Sequence, residues 1–367
     1  MNLNLLEKLN DKQKEAASQI DGSILILAGA GSGKTRTITY RIAHMIENVG
    51  ISPYSILAVT FTNKAAKEMR ERVEELVGDI AKACTISTFH SFGMRLLRMY
   101  AKEVGYNSNF TIYDTDDQKR IVKAILKGQH ISFNGVKLTE RDIVSIISKI
   151  KEQIKTLDEY SVMNKQIVEV YDKYNRVLLE SNAMDFSDIL LNTYKLLQKP
   201  EILEKVQNKY KYIMIDEYQD TNNLQYKIID LIARKSSNLC VVGDENQSIY
   251  GFRGANILNI LNFENNYKNA KIIKLEENYR STTTILDAAN ELIKNNKSSK
   301  DKKLWTQNGK GDLIKVLACD NARDEVSRII EIIKENHQNG VPYRDMTILY
   351  RTNAQSRLFE EGFLRYN

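Results

Sequence analysis

The chain has 367 residues, 42% of them hydrophobic and 27% charged, and a formal net charge of +6. These proportions exclude an intrinsically disordered chain, and the length predicts two or three domains of about 100–200 residues each. The three cysteines are scattered and show no C-x-x-C spacing, which argues against a disulfide framework or a zinc site. No apolar run reaches the ~18–20 residues of a membrane span, and the N-terminus lacks the pattern of a signal peptide. We therefore expect a cytoplasmic protein without a membrane partner.

Short apolar segments recur along the chain, each followed by a helical pattern. Such segments are typical of buried parallel strands, and their alternation with helices predicts a doubly wound α/β fold. The predicted strands are Ser23–Ala28, Ile56–Thr60, Thr85–Ser87, Tyr212–Ile215, Leu239–Val242, Lys271–Leu275, Leu313–Leu317 and Thr347–Tyr350. The last three are separated by predicted helices at Thr282–Asn295 and Ala322–His337.

A helical, strand-poor stretch between Tyr106 and Met184 interrupts this alternation. It contains no run rich in glycine, proline or serine, which favours a folded insert over a linker. We expect residues 1–105 and 185–270 to form a first core and residues 106–184 a helical accessory insert. Residues 271–367 then form the N-terminal part of a second core.

A glycine-rich loop follows the first predicted strand and precedes a helix. Its residues are Gly29, Ala30, Gly31, Ser32, Gly33, Lys34 and Thr35. The backbone N–H groups of such a loop and of the following helix N-terminus bind phosphate oxygens. The lysine of this pattern neutralises the β- and γ-phosphates of ATP, and the threonine hydroxyl ligates Mg²⁺. Ala28 stands where the strict pattern has glycine, but Gly31 and Gly33 make the close approach.

Two carboxylates follow the predicted strand Tyr212–Ile215. Because the ligands of open α/β sheets bind at the carboxyl ends of the strands, Asp216 and Glu217 are expected beside the glycine-rich loop. Asp216 is a candidate Mg²⁺ ligand, and Glu217 is a candidate general base that polarises the attacking water.

The spacing of these elements excludes a compact P-loop kinase, because 182 residues separate Lys34 from Asp216. Without the insert of roughly 80 residues, about 100 remain, which is the size of one ordinary α/β core. The sequence thus predicts a P-loop NTPase that is interrupted by an accessory domain.

Ten ordered segments resemble the UvrD/Rep/PcrA group of superfamily 1 DNA helicases, from Leu9 to Arg365. They are LNDKQKEA at 9–16, AGAGSGKTR at 28–36, TFTNKAAKEM at 60–69, TFHSF at 88–92, MDFSD at 184–188, IDEYQDTN at 215–222, VVGDENQSIYGFRGA at 241–255, LEENYRST at 275–282, KLWT at 303–306 and YRTNAQSR at 350–357. The resemblance implies RecA-like cores and an ATP-dependent motor that moves 3′→5′ along single-stranded DNA and separates duplex at single-strand/duplex junctions.

The resemblance also assigns nucleotide contacts to matching residues. Gln13 is similar to the glutamine that reads the adenine edge, and Arg36 and Tyr279 to the two flat groups that sandwich the base. Gln247 resembles a γ-phosphate sensor, and Arg280 an arginine finger. With Lys34, Asp216 and Glu217, the last two complete the expected catalytic set.

Aromatic and polar residues of the same segments resemble the family's DNA contacts. Aromatic rings stack on bases of any sequence, and polar side chains position the backbone phosphates. The candidates are Phe61, Thr62, Asn63, His90, Phe186, Tyr250, Phe252, Arg253, Arg351 and Asn353.

The sequence departs from the family pattern at three places. Phe252 stands where tryptophan is usual, and Glu245-Asn246 replaces a pair of small acids. The family also continues beyond LFEEGFLRYN at 358–367 into a second accessory domain and two further motifs. We therefore expect this chain, as a monomer, to bind ATP and single-stranded DNA but to unwind duplex poorly, with DNA repair or replication proteins as partners.

Two other functions stay open. One is the helicase portion of an ATP-dependent recombination nuclease, whose nuclease carboxylates would lie downstream of Asn367. The other is a nucleotide-gated DNA-binding module without turnover. The downstream coding sequence distinguishes the first, and ATP hydrolysis stimulated by single-stranded DNA distinguishes the second.

Overall fold

A computed structural model describes residues 5–128, 130–133, 136–152, 165–296, 300 and 302–365. The parts of the predicted domains at 1–4, 129, 134–135, 153–164, 297–299, 301 and 366–367 lie outside the described residues. The chain divides into two compact units, Met1–Gly311 and Asp312–Asn367. In the described part of the chain, no helix has the length and apolarity that crossing a membrane requires.

Six of the described strands, β1, β2, β3, β8, β9 and β10 in the list that follows, agree closely with the apolar segments predicted in the first unit. They are β1 Ile24–Ala28, β2 Ile56–Thr60, β3 Thr85–Thr88, β4 Thr111–Tyr113, β5 Ser132–Phe133, β6 Val136–Lys137, β7 Ala183–Asp185, β8 Tyr212–Ile215, β9 Leu239–Gly243 and β10 Lys271–Leu275.

The α-helices begin mostly after capping Asn, Asp or Thr residues. They are α1 Asp11–Ser18, α2 Lys34–Glu47, α3 Asn63–Val77, α4 Phe89–Tyr100, α5 Thr115–Leu126, α6 Glu140–Lys151, α7 Lys165–Glu180, α8 Phe186–Leu197, α9 Pro200–Lys209, α10 Asn223–Ala233, α11 Leu258–Leu261, α12 Phe263–Asn266, α13 Thr283–Ile293, α14 Ala322–Gln338 and α15 Ser356–Arg365. Short 3-10 turns lie at Leu5–Lys8, Pro53–Ser55, Gly78–Ala83, Ala101–Val104, Tyr218–Asp220, Glu245–Gln247, Gly251–Arg253, Tyr343–Asp345 and Asn353–Gln355.

Six parallel strands form one sheet in the order β10-β1-β9-β8-β2-β3. Side chains of β1 alternate between its faces: Leu25 and Leu27 pack into one hydrophobic cluster, whereas Ile24 and Ile26 pack into the other. Helices cover both faces, which explains why β1 is apolar at every position. All six strands run in the same direction, so the loops after β1, β8 and β9 meet at one edge.

The position of β10 differs from the predicted domain boundary at residue 270. Its residues Lys271–Leu275 pair in parallel with Ile24–Ala28, so the sheet of the first core includes this strand. The compact unit then continues to Gly311. Strand order depends on pairing between distant segments, which an apolar pattern does not specify.

The insert has a hydrophobic cluster of its own, built from α5, α6 and α7. Among its buried side chains are Val122, Ile147 and Tyr174. The strands β4 and β7 pair in parallel where the chain enters and leaves this region. This small sheet was not predicted, because β4 has only three residues and is partly exposed.

The second unit contains α14 and α15, which pack through Val326, Ile330 and Phe359. The predicted helix Ala322–His337 corresponds to α14. The two predicted strands of this unit are not strands in the described residues. Their apolar side chains are exposed, 91% at Val316 and 90% at Leu349, and an extended segment becomes a strand only when a partner pairs with it.

Candidate nucleotide site and nucleic-acid groove

The glycine-rich loop joins the buried end of β1 to the N-terminus of α2. Gly31 and Gly33 have φ angles of +68° and +81°, which glycine adopts without strain. The hydroxyl of Ser32 donates to the carbonyl of Gly29 over 2.7 Å, which closes the turn. Lys34 and Thr35 follow in the first turn of α2, where the orphan N–H groups of a helix favour an anion.

Asp216 and Glu217 lie at the end of β8 and face this loop. The ammonium nitrogen of Lys34 is 3.2 Å from Oε2 of Glu217. Asp216 is buried and accepts a hydrogen bond from the backbone N–H of Glu217 over 3.0 Å. Burial, and then the charge of Glu217, raise the pKa of Asp216 to about 6. The arrangement therefore has a cation and two carboxylates at the mouth of a phosphate-binding loop.

The base-reading candidates lie on the other side of the loop. Gln13 is buried, and its Nε2 donates to the carbonyl of Ser32 over 2.9 Å. The hydroxyl of Tyr279 accepts from Nδ2 of Asn10 over 2.7 Å, and Asn10 caps the helix that carries Gln13. Arg36 donates from Nη2 to the backbone carbonyl of Lys8. Gln13, Tyr279 and Arg36 are thus gathered around α1 and the loop.

Asn278 attaches the segment of Arg280 to the loop. Its Nδ2 donates to the carbonyl of Ala30 over 2.6 Å, and its Oδ1 accepts from the backbone N–H of Arg280 over 2.8 Å. A Cβ added to Gly31 would lie 2.8 Å from the Cβ of Arg280. Arg280 therefore lies in the same compact unit as the loop, although the predicted second core, residues 271–367, included it.

Gln247 lies in the turn that follows β9, where Nε2 donates to Oδ2 of Asp244 over 2.6 Å. Lys302 reaches the same turn, with Nζ 2.6 Å from Oδ1 of Asp244 and 3.2 Å from Oε2 of Glu245. These three ionic side chains are buried. The departure at Glu245 thus adds a partner for Lys302 and leaves Gln247 bound to Asp244.

A groove of about 850 Å³ opens beside the carboxyl edge of the sheet. Eight predicted DNA contacts line it: Phe61, Thr62, Asn63, His90, Phe186, Tyr250, Phe252 and Arg253. Arg351 and Asn353, the other two, belong to the second unit. The groove combines aromatic rings with polar groups, which suits a single strand with splayed bases.

The aromatic side chains of the groove form two stacked pairs. The rings of Phe61 and Tyr250 lie 5.4 Å apart, and those of His90 and Phe186 lie 3.8 Å apart. Phe252 is 71% exposed at the rim. Burial lowers the pKa of His90 to about 4, so its ring is neutral at pH 7 and acts as a flat apolar surface.

Sequence reasoning missed four polar residues that organise these sites: Lys151, Gln219, Asn278 and Lys302. Gln219 lies in the segment IDEYQDTN at 215–222, and Asn278 lies in LEENYRST at 275–282. Each is a polar residue close to the end of a predicted strand, and this position could have marked it as a candidate. Lys151 makes a buried ion pair with Asp185, which lies 34 positions away in the sequence. Lys302 makes one with Asp244, which lies 58 positions away. No local pattern marks such pairs.

Comparison with known proteins finds similarity along nearly the whole chain. The UvrD/REP helicase N-terminal domain matches residues 9–268, and the UvrD-like helicase C-terminal domain matches residues 273–367. The ATP-dependent DNA helicase PcrA of Staphylococcus aureus is 48% identical over 99% of this chain and 50% of its own length. The protein of the same name from Staphylococcus epidermidis is 47% identical over the same shares. The chain spans about half the length of these curated relatives.

The expected α/β P-loop fold is confirmed, and so is the predicted family. The N-terminal domain match alone covers more than two thirds of the chain. The chain belongs to the UvrD/REP helicase family.

Proposed function

We propose that this chain is the ATP- and DNA-binding portion of an ATP-dependent 3′→5′ DNA helicase. The observation that carries the proposal is the loop after β9. It starts beside the glycine-rich loop, because β9 pairs with β1, and it carries Gln247 near its start and Tyr250 and Phe252 in the aromatic groove. One short segment thus borders both sites, which suits a motor that couples hydrolysis to movement along a strand.

In this proposal the phosphates of ATP bind the loop N–H groups and Lys34. Glu217 accepts a proton from the attacking water, and Gln247 and Arg280 contact the γ-phosphate. Gln13 reads the adenine edge, while Arg36 and Tyr279 stack on its faces. An amide suits the first role because it offers a donor and an acceptor together.

The residues also fit a magnesium ion, which when bound would offset phosphate charge. Thr35 and Asp216 supply hydroxyl and carboxylate oxygens, which are the ligands that Mg²⁺ prefers. Asp216 is buried, with its pKa raised to about 6, so a divalent cation would reduce the cost of keeping it ionised.

Single-stranded DNA binds the groove through its bases and backbone. Phe61, Tyr250 and Phe252 offer faces for stacking, and Arg253 adds a positive charge over the last two rings at 5.3 and 5.5 Å. Stacking tolerates any sequence, and a translocating motor needs that tolerance. Arg351 and Asn353 would contact backbone phosphates.

Unwinding at single-strand/duplex junctions, action as a monomer and work with repair or replication proteins are inferred from the family. Three unbridged cysteines are in keeping with the reducing cytoplasm.

Binding measurements on the 367-residue chain test the proposal. Lys34→Ala should abolish magnesium-dependent binding of a fluorescent ATP analogue, because it removes the cation of the phosphate site. Lys64→Ala is the matched control, since Lys64 is an exposed lysine of α3. Affinity for a dT oligonucleotide should fall steeply with salt through counterion release. Nucleotide binding unchanged by Lys34→Ala, or the absence of oligonucleotide binding, would refute the proposal.

A further inference from the structure

Gln219 connects the nucleotide side of the site to the loop of the groove. It lies in the turn Tyr218–Asp220, and only 1% of its surface is exposed. Its Nε2 donates to Oε2 of Glu217 over 2.9 Å, and its Oε1 accepts from the backbone N–H of Asp244 over 3.0 Å. Its backbone carbonyl also accepts from the hydroxyl of Ser248 over 3.3 Å. One buried side chain thus holds a carboxylate at one end and a loop at the other.

The chemistry of this position favours an amide. An amide carries a donor and an acceptor on one carbon, as the contacts of Gln219 to Glu217 and Asp244 require, whereas an ionised carboxylate has acceptors alone. A carboxylate would accept from Asp244 but repel Glu217, and an apolar side chain would satisfy neither. The backbone at the end of β9 packs closely against the side chain of Gln219, because a Cβ added to Gly243 would lie 2.5 Å from Oε1 of Gln219.

At the nucleotide end, Glu217 is shared between two donors. Its Oε2 accepts a hydrogen bond from Nε2 of Gln219 and lies 3.2 Å from Nζ of Lys34. A bound phosphate would compete with Glu217 for the ammonium group. The backbone of Glu217 has φ of +51°, a region that residues other than glycine seldom occupy, so its orientation depends on surrounding contacts. A change at Lys34 therefore alters the carboxylate that Gln219 holds.

At the DNA end, the loop after β9 leads from Asp244 to the aromatic rings. Tyr250 stacks on Phe61, and Phe252 lies beside Tyr250 at 6.1 Å. A base that entered between these rings would have to separate them, and two of the three rings belong to this loop. Asp244 binds the side-chain amide of Gln219 and Ser248 binds its backbone carbonyl, so a displacement of this loop is transmitted to Gln219.

We infer that Gln219 is a positioning residue that couples nucleotide binding at Lys34 and Glu217 to DNA binding in the aromatic groove. The inference rests on the proposed function, because it requires that both ligands bind. Coupling of this kind is reciprocal: ATP changes the affinity for DNA by the same factor as DNA changes the affinity for ATP.

The test measures four dissociation constants on the 367-residue chain. A fluorescent non-hydrolysable ATP analogue with Mg²⁺ is titrated with and without a dT oligonucleotide, and the oligonucleotide is titrated with and without the analogue. We expect the wild-type chain to show coupling of about fivefold or more, the lower end of typical allosteric coupling.

Two substitutions remove the connection in different ways. Gln219→Met keeps the length of the side chain and loses its hydrogen bonds to Glu217, Asp220 and Asp244. Each single-ligand affinity should stay within about twofold, the margin of an unlinked change, while the coupling disappears. Gln219→Glu keeps the acceptor for Asp244 and loses the donor to Glu217, so it should also abolish the coupling. Gln118→Met is the control, because Gln118 is a buried glutamine of α5 in the insert.

The outcomes separate this inference from the proposed function. A wild-type chain that binds both ligands without coupling overturns the inference and leaves the proposed function standing. Binding of neither ligand overturns the proposed function, and the inference with it. If Gln219→Met melts at a lower temperature and loses both affinities, Gln219→Glu decides, and retained coupling in that variant overturns the inference.

Discussion

The ammonium nitrogen of Lys151 lies 2.7 Å from Oδ2 of Asp185 in the protein interior. Oδ2 of Asp188 is 2.8 Å from the same nitrogen, and the hydroxyl of Tyr174 donates to Asp185 over 3.0 Å. Lys151 ends α6 of the insert, whereas the two aspartates flank Phe186 at the start of α8. The ion pair thus ties the insert to the segment that carries a ring of the groove.

Lys151→Met should destabilise the chain strongly. Removing the cation leaves two buried carboxylates without their partner, which costs about 3–5 kcal/mol. Lys12→Met is the control, since the exposed pair of Lys12 with Glu15 at 3.0 Å is worth about 0–1 kcal/mol. The urea concentration at the midpoint of unfolding measures the stability of each variant relative to wild type. Equal midpoints for the two would contradict the buried pair as a source of stability.

The cost of Lys151→Met should also shrink as the pH falls. Burial already raises the pKa of Asp188 to about 6, against the lowering effect of Lys151. A carboxyl whose folded pKa is raised stabilises the fold at low pH and loses that contribution as the pH rises through its folded value. The difference in urea midpoint between variant and wild type should therefore be larger at pH 8 than at pH 5. A difference independent of pH would contradict this account.

Glu217→Gln should preserve ATP binding and collapse turnover. The substitution keeps the shape of the side chain and removes the anion that we propose takes a proton from water. Loss of a general base lowers rates by about 10²–10⁴. Affinity for ATP should stay equal or rise, because Lys34 loses the carboxylate that competes with phosphate. Phosphate release with a dT oligonucleotide is measured on this chain and on a form extended to the length of its relatives. Glu74→Gln, at an exposed pair with Lys82, is the control.

Steady-state hydrolysis that is unchanged by Glu217→Gln would contradict the role given to this carboxylate. Loss of nucleotide binding together with turnover would assign Glu217 to binding instead.

The sequence predicted local features well, because the chemistry of each lies in a few consecutive residues. The loop from Gly29 to Thr35 is contiguous, and the strands that precede this loop, Phe61 and Asp216 (β1, β2 and β8) are apolar at nearly every position. Contacts between distant segments were missed. Asn278 reaches the carbonyl of Ala30 from 248 residues away, and Lys302 reaches Asp244 from 58 residues away.

The pairing of β10 with β1 was missed for the same reason. An apolar pattern shows that a segment will be buried but not which strand it will join. The segments around Val316 and Leu349 also have an apolar pattern, but they are exposed and form no strand in the described residues. An apolar pattern alone does not provide a partner strand.

Phe252→Ala should weaken binding of single-stranded DNA by about 1–3 kcal/mol, the value of one base stacked on an aromatic ring. The loss should be similar for dT, dA and dC oligonucleotides, because every base has a flat face. Tyr54→Ala is the control: Tyr54 is 66% exposed, and Phe252 is 71% exposed, but Tyr54 precedes β2 at the opposite edge of the sheet. Fluorescence anisotropy measures each affinity. A loss confined to one base would contradict stacking.

His90→Phe should retain DNA affinity at pH 7.5, because His90 is neutral there and contributes a ring stacked on Phe186. The slope of affinity against salt should also stay unchanged, since no phosphate-binding cation is removed. A shallower slope in the variant would show instead that His90 binds DNA as a cation.

The same substitution should change the response of stability to acid. The folded pKa of His90 is lowered to about 4 by burial, below its ordinary value of 6.5, so the unfolded chain binds a proton first as the pH falls. Wild type should therefore lose stability relative to His90→Phe between pH 6.5 and 4, and the two should run parallel above pH 7. Lys149, Glu152, Asp220 and Arg253 line the same groove and are present in both proteins, so the difference in melting temperature isolates His90. Parallel curves down to pH 4 would contradict the burial of a neutral ring.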